Sequence, residues 1–322
     1  MTALGAGVWI VVPTPFESGS LAVDLPSLRG MIRAYVDLAE KKAASSKGGK
    51  VAGLVALAVF GEAARLSVDE RQRVLAAVLK CAGSLKVVVG VPFTKPDEVA
   101  DEVELIGATS MGRVAALMVQ VNSNDPGELR IHLKNVNKQS GLPIVVQDYP
   151  PSSGVTIQAE ALAQALKGLP FIAAVKCESP PTSVAIAQLH SLLPEIPLFG
   201  GLGGVGLLDE LAAGAAGAMT GFSYPEALVD IVAAFETSGF DAARQEISPW
   251  LPLMNFEGQV SIGLAIRKTN IKSRGLIAHA VVRPPGRQLP VEIVPLVRHH
   301  QLSISNALKR AALGSSTAET SR

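Results

Sequence analysis

Eight short runs of apolar and β-branched residues recur through the first 223 positions of this 322-residue chain, and each gap between them has room for a helix. They are VWIVVPT (8–14), GLVALAV (53–59), KVVVGVP (86–92), AALMVQV (115–121), PIVVQDY (143–149), IAAVKCE (172–178), PLFGG (197–201) and GAMTGFS (217–223). The runs are nearly continuous in apolar residues, which is the pattern of parallel strands covered on both faces. Parallel neighbours need a long crossover between them. SVDERQRVLAAVLKCAG (67–83) supplies the clearest one, with Ser67 as N-cap, Glu70 three residues on and Gly83 as a stop. DPGELRIHLKNVNKQSG (125–141) is similar. Eight such units predict an α/β fold, a (β/α)8 TIM barrel. An open doubly wound sheet is the alternative, but no dinucleotide fingerprint follows the first run.

The barrel is expected over residues 1–238, with extra helices over 239–310 in FDAARQEISPWLPLMNF, GQVSIGLAIRKTNIKS and VEIVPLVRHHQLSISNALKRAAL. VVRPPGRQLP (281–290) reads as the loop before the last of these. KKAASSKGGK (41–50) reads as an exposed, mobile loop, and the polar tail over 311–322 as disordered. A 48% hydrophobic composition suffices for one large core.

Basic and acidic residues nearly cancel, 29 against 28, which argues against nucleic acid or an anionic membrane as partner. A small molecule or a second copy of the chain fits better. The two cysteines, Cys81 and Cys177, make no disulfide framework, so a reducing, cytoplasmic location is expected. The five histidines show no metal-ligand spacing. The first residues lack a basic n-region and their apolar run is cut by Pro13, unlike a signal peptide. No apolar run approaches the roughly 20 residues of a membrane span.

The sixth run ends in a lysine, Lys176, within PFIAAVKCESPP (170–181). Lysine is rarely buried without a reason. The C-terminal end of a barrel strand is the active-site face. An amine there loses hydration, which disfavours its charged form and favours free amine able to attack a ketone. The bland alternative is a lysine snorkelling to solvent. Glu178, two residues on, shares the strand face. It is a candidate to move protons next to an imine, or else a cap for the helix that begins near Pro180 and Pro181.

Several stretches together resemble the dihydrodipicolinate synthase / N-acetylneuraminate lyase family of class I aldolases. These are VPTPF (12–16), GLVALAVFGEAARLSVDER (53–71), PPSSG (150–154), VKCE (175–178) and ELAAGAAGAMTG (210–221), and the likeness runs from about residue 8 to 310. The resemblance implies a Schiff-base role for Lys176, a 2-oxo acid substrate such as pyruvate, no metal or organic cofactor, and a homo-oligomer, dimer or tetramer. It also places the substrate's carboxylate at the backbone of Val59 and Phe60. The polar tail would meet backbone groups of the glycine-rich turn FGGLGGVG (199–206), which includes Gly201 and Gly203, with Thr220 and Gly221 lining the same pocket. Glu62 is expected to anchor its loop.

The chain departs from the family pattern in one region. Val59 and Phe60 stand where the family has adjacent threonines. Gln147 stands where it has a proton-shuttling tyrosine, and Tyr149, on the same face, is the candidate substitute. Val121 and Asn122 stand where a tyrosine usually reaches across from a neighbouring subunit. PPSSG carries serines where the synthases have an arginine. Asp148 should point the other way and be structural. QDYP and KCESP look more like a branch that includes dehydratases of 2-keto-3-deoxy sugar acids. The expected activity is therefore a Schiff-base lyase, aldolase or dehydratase, acting through Lys176, Glu178, Gln147 and Tyr149. Its rivals are condensation of pyruvate with aspartate semialdehyde, a non-catalytic binding barrel, and a phosphate-binding barrel.

Overall fold

All eight runs are strands, and in the computed structural model they close into one parallel barrel in the order β1 to β8. The strands are β1 (Gly7–Val11), β2 (Val51–Ala56), β3 (Lys86–Val91), β4 (Val114–Gln120), β5 (Ile144–Asp148), β6 (Ile172–Cys177), β7 (Leu198–Gly200) and β8 (Gly217–Thr220). β1 pairs with both β2 and β8, which closes the ring. The structure describes the chain except residues 1–2, 46–47, 111 and 320–322. All eight strands stop short of the predicted C-terminal bounds. The residues beyond them turn outward into the loops of the barrel mouth, where ladder pairing ends.

Two apolar layers explain why the runs do not alternate. Val8, Ile10, Leu54, Val87, Val89, Leu117, Val119, Ile144 and Val146 face the surrounding helices. Trp9, Val88, Met118, Val145, Ala174, Phe199 and Met219 fill the barrel interior. Trp9 fits only because β2 carries Gly53 opposite: a Cβ there would overlap the indole ring. Its Nε1 donates to the Gly5 carbonyl at 3.1 Å. The interior is packed and not a pore.

The helix Val68–Cys81 has the capping box read from sequence, with Ser67 and Glu70 satisfying each other's backbone N–H groups. The helix Pro126–Ser140 starts on the Asp125 side chain and stops at Gly141, at φ 66°. The stretch 41–50 is only partly a loop: the helix Leu25–Ala43 runs into it, and residues 46–47 lie outside those described. The segment from 239 onward forms the helices Phe240–Ile247, Leu251–Glu257 and Gly263–Ser273, then one from Val294 to Glu319. That last helix continues across residues 311–319, where the sequence reading places a tail; 320–322 lie outside the described residues. The run KRAAL (309–313), which spans the predicted boundary, is rich in good helix formers, so backbone bonding can propagate past 310. No helix among the described residues is long and apolar enough to cross a membrane.

The C-terminal segment is tied to the loop after β2 by a buried ionic cluster. Glu62 stands in a left-handed conformation at φ 56° between two short 3-10 turns. Its carboxylate accepts from Lys268 Nζ, from Arg65 Nη1 at 2.8 Å and from the Arg283 backbone N–H at 2.9 Å. Arg283 in turn grips Glu70 with two nitrogens, each at 2.7 Å. Glu62 is thus the loop anchor that its sequence context suggested, and it fixes the backbone of neighbouring Val59 and Phe60.

Candidate active site

Register puts the polar residues of three adjacent strands in one layer. Gln120 of β4 pairs with Gln147 of β5, Gln147 with Lys176 of β6, and Lys176 with Phe199 of β7. Lys176 is 4% exposed, so it does not snorkel to bulk water. Its Nζ lies 2.9 Å from Glu178 Oε2. The same oxygen accepts from Gln147 Nε2 at 2.7 Å, and Glu178 Oε1 accepts from the Leu202 backbone N–H at 3.2 Å. Desolvation of the amine is therefore opposed by an adjacent carboxylate, a feature the apolar strand alone did not announce.

Glu178 does not cap the following helix. That helix, Thr182–Leu192, has Pro181 at its N-cap and no side-chain cap bond. The carboxylate turns inward because β7 ends in small residues. A Cβ on Gly201 would overlap the Glu178 carboxylate, and a Cβ on Gly200 would overlap that of Glu210 on the other face. Adjacent glycines thus seat two glutamates, one inside the barrel and one outside it.

A cavity of about 590 Å³ opens above this layer. Lys176, Glu178, Gln147 and Tyr149 all line it, as do Val59, Phe60, Gly203, Thr220 and Gly221. Gly201 lies beneath Glu178 and acts by making room for it. Phe60 packs where a Cβ on Gly221 would sit, and the Gly203 N–H donates to Thr220 Oγ1 at 2.8 Å. Tyr149, the residue just after β5, has its hydroxyl held above its ordinary pKa, first by burial and then by the charge of Glu178, with Arg267 opposing. Its phenol therefore stays protonated at neutral pH. Asn122 opens onto a separate cavity beside His132.

Behind the site, Asp148, Cys177 and Glu210 form a second buried group on the helix side. Burial, aided by Glu178, raises Asp148 to about 6. Burial raises Glu210 to about 7 against the hydrogen bond from Thr182. The Cys177 thiol is pushed up by burial and by the same carboxylates. Asp148 does not line the cavity, as its place between Gln147 and Tyr149 predicts.

Among the residues of the cavity wall that sequence reasoning missed are two charged ones, Arg267 and Glu257. They come from helices that fold back over the mouth. Nothing in the local pattern of GLAIRKTNIKS marks Arg267 as facing a site. No cluster of His, Cys, Asp and Glu among the described residues is arranged to hold a metal.

The chain is a closed (β/α)8 barrel with a buried lysine–carboxylate pair, Lys176 and Glu178, in the mouth at the C-terminal ends of its strands. The Dihydrodipicolinate synthetase family matches residues 8–310, and the chain belongs to that family of lyases. It is 29% identical to an L-2-keto-3-deoxyarabonate dehydratase of Azospirillum brasilense, over 94% of both chains. It is 32% identical to a 4-hydroxy-tetrahydrodipicolinate synthase of Phenylobacterium zucineum, but over 53% of each chain. Among solved structures, a dihydrodipicolinate synthase of Rhodopseudomonas palustris superposes with a TM-score of 0.81 at 25% identity, covering 94% of this chain and 99% of the other.

Proposed function

We propose that the protein is a class I lyase that forms a Schiff base between Lys176 and the ketone of a 2-oxo acid, and that its substrate is a 2-keto-3-deoxy sugar acid from which it eliminates water. The observation that carries this is the buried contact of Lys176 Nζ with Glu178, at 2.9 Å, on the floor of the cavity. The amine attacks C2 and the carbonyl oxygen leaves as water, giving a protonated imine. Glu178 is the acceptor placed to take a proton from the lysine ammonium beforehand and to return it to the departing oxygen, after which its regenerated carboxylate stabilises the imine cation.

The imine acidifies C3. A proton passes from C3 to Glu178, and the electron pair moves into the C2–C3 bond as an enamine. That pair then expels the C4 hydroxyl, which takes a proton and departs as water. Tyr149, whose phenol lines the same wall, is the residue we assign to supply that proton. Hydrolysis of the remaining imine frees Lys176. No metal or organic cofactor enters these steps. Val59 and Phe60 bring no hydroxyl to the wall, so the acid–base work falls to β5 and β6. Alignment to a sugar-acid dehydratase over 94% of both chains supports dehydration over condensation with aspartate semialdehyde. The free thiols Cys81 and Cys177 fit a reducing cytoplasm. Assembly as a dimer or tetramer rests on the family likeness.

The test is to incubate the protein with pyruvate and longer 2-oxo acids, add borohydride and weigh the intact chain. A substrate-sized mass increase mapping to Lys176, together with dehydrated product from a 2-keto-3-deoxy sugar acid, is the expected result. A folded protein that traps none of these acids overturns the reading.

A further inference from the structure

Arg267 reaches the cavity from the helix Gly263–Ser273, which lies over the mouth, whereas Lys176 stands on the floor at the end of β6. Its guanidinium carbon is 5.5 Å from the centre of the Phe60 ring, and Nη2 occupies the place a Cβ on Gly203 would need. It is thus held between the loops that follow β2 and β7. The side chain is only 15% exposed.

This buried cation is poorly compensated. Glu257 is beside it, but Nε and Oε2 are 3.6 Å apart, and Nε has no hydrogen-bond partner among the described residues. The Glu257 carboxylate is taken up elsewhere: Oε1 accepts from Asn270 Nδ2 at 2.6 Å and from the Ser223 hydroxyl, and Oε2 from the Ser223 N–H at 3.2 Å. Burial pulls Arg267 below its usual pKa, with the charge of Glu257 and then those of Tyr149 and Glu178 only partly restoring it. The other cations on the wall are engaged, Lys176 with Glu178 and Arg65 with Glu62. Phe60, Val59 and Leu264 give this part of the wall its apolar surface, next to the uncharged polar residues Asn255, Gln259 and Ser261. A guanidinium desolvated in this way gains most from a full negative charge that its planar fork can grip with two nitrogens. The cavity also has far more room than a three-carbon acid fills.

We propose that Arg267 binds a second carboxylate at the end of the substrate remote from the imine carbon, so that the enzyme selects 2-oxo acids carrying an acid group at both ends, a 2-keto-3-deoxy sugar diacid. This rests on the Schiff-base reading of Lys176. Arg267 is a specificity-determining residue: it touches the far end of the substrate and takes no proton.

Borohydride trapping at Lys176 tests it, with 2-oxoglutarate and 2-oxopentanoate as probes, equal in length but differing in the second carboxylate. In the wild-type enzyme, half-maximal trapping should need at least about 10-fold less 2-oxoglutarate than 2-oxopentanoate. Arg267→Met should raise the 2-oxoglutarate concentration about 10- to 100-fold, as for loss of a charged hydrogen bond, and leave 2-oxopentanoate within about twofold. Arg267→Lys should recover part of the loss, since charge survives without the fork. Thermal stabilisation of the wild type should rank the two acids in the same order, independently of any variant. Equal weakening of both acids in Arg267→Met, or no preference in the wild type, overturns the proposal while trapping itself still upholds the Schiff base. Failure of the wild type to trap even pyruvate instead overturns the Schiff base and the proposal with it.

Discussion

Lys176 and Glu178 point to the same side of β6, and their side chains meet at 2.9 Å inside the barrel mouth, with Cys177 between them facing the helices. This i, i+2 pairing gives each charge the partner it needs away from water. Gln147 and the Leu202 N–H hold the carboxylate on its other sides.

Glu178→Gln keeps the shape and the hydrogen-bonding capacity but removes the base. Turnover should fall by about 10²- to 10⁴-fold, the range for a general acid–base group. Borohydride should still trap an adduct on Lys176, though more slowly. Loss of trapping together with turnover would mean that Glu178 serves only to position the lysine.

Gly201→Ala should act through Glu178. The added methyl overlaps the carboxylate, which must swing away from Lys176. Turnover should drop at least about 10-fold, while stability changes by no more than about 1–3 kcal/mol, the ordinary cost of overpacking. Denaturant unfolding alongside steady-state rates separates the two. A fully active variant would show that the position of Glu178 is immaterial.

Lys268→Met should be among the most destabilising single changes. Lys268 and Glu62 are both fully buried and paired, and removing Lys268 leaves Glu62 Oε1 without its partner, with only Arg65 and the Arg283 N–H left on the other oxygen. A loss of about 3–5 kcal/mol is expected by chemical denaturation. Adding Glu62→Gln to that variant should restore part of it, because the stranded charge goes too.

Glu210 should make stability fall as pH rises. Its pKa is raised from 4.5 to about 7 in the folded state, so the folded protein holds this proton more tightly than the unfolded chain. Between pH 4.5 and 7 the folded form binds more protons, and stability declines through that window, by up to roughly 3 kcal/mol for this group. Asp148, raised to about 6, adds a decline in the same direction over an overlapping range. Unfolding free energies at pH 5 and 8 should therefore differ less in Glu210→Gln than in the wild type. An unchanged difference would mean that Glu210 does not titrate there.

The barrel, its eight strands and the place of Lys176 were legible in the sequence for a local reason. A strand covered on both faces must be apolar throughout, so VVQD and AAVKC stand out wherever the pattern breaks into polarity. The i, i+2 rule likewise set Glu178 beside Lys176 and set Asp148 apart from Gln147 and Tyr149. Which way Glu178 would turn was not legible, since that depends on Gly201 of the next strand leaving it room. Arg267 was not legible either: it lies 91 positions beyond Lys176, in a helix whose pattern reads as ordinary packing. Sequence by itself determined the strands, the barrel class and the place of Lys176 at the end of the sixth strand, because periodicity and strand-end position are short-range properties. Only the tertiary structure decided the carboxylate's partners and the second cation over the cavity, because those follow from which distant segments the closed barrel and its C-terminal helices bring into contact.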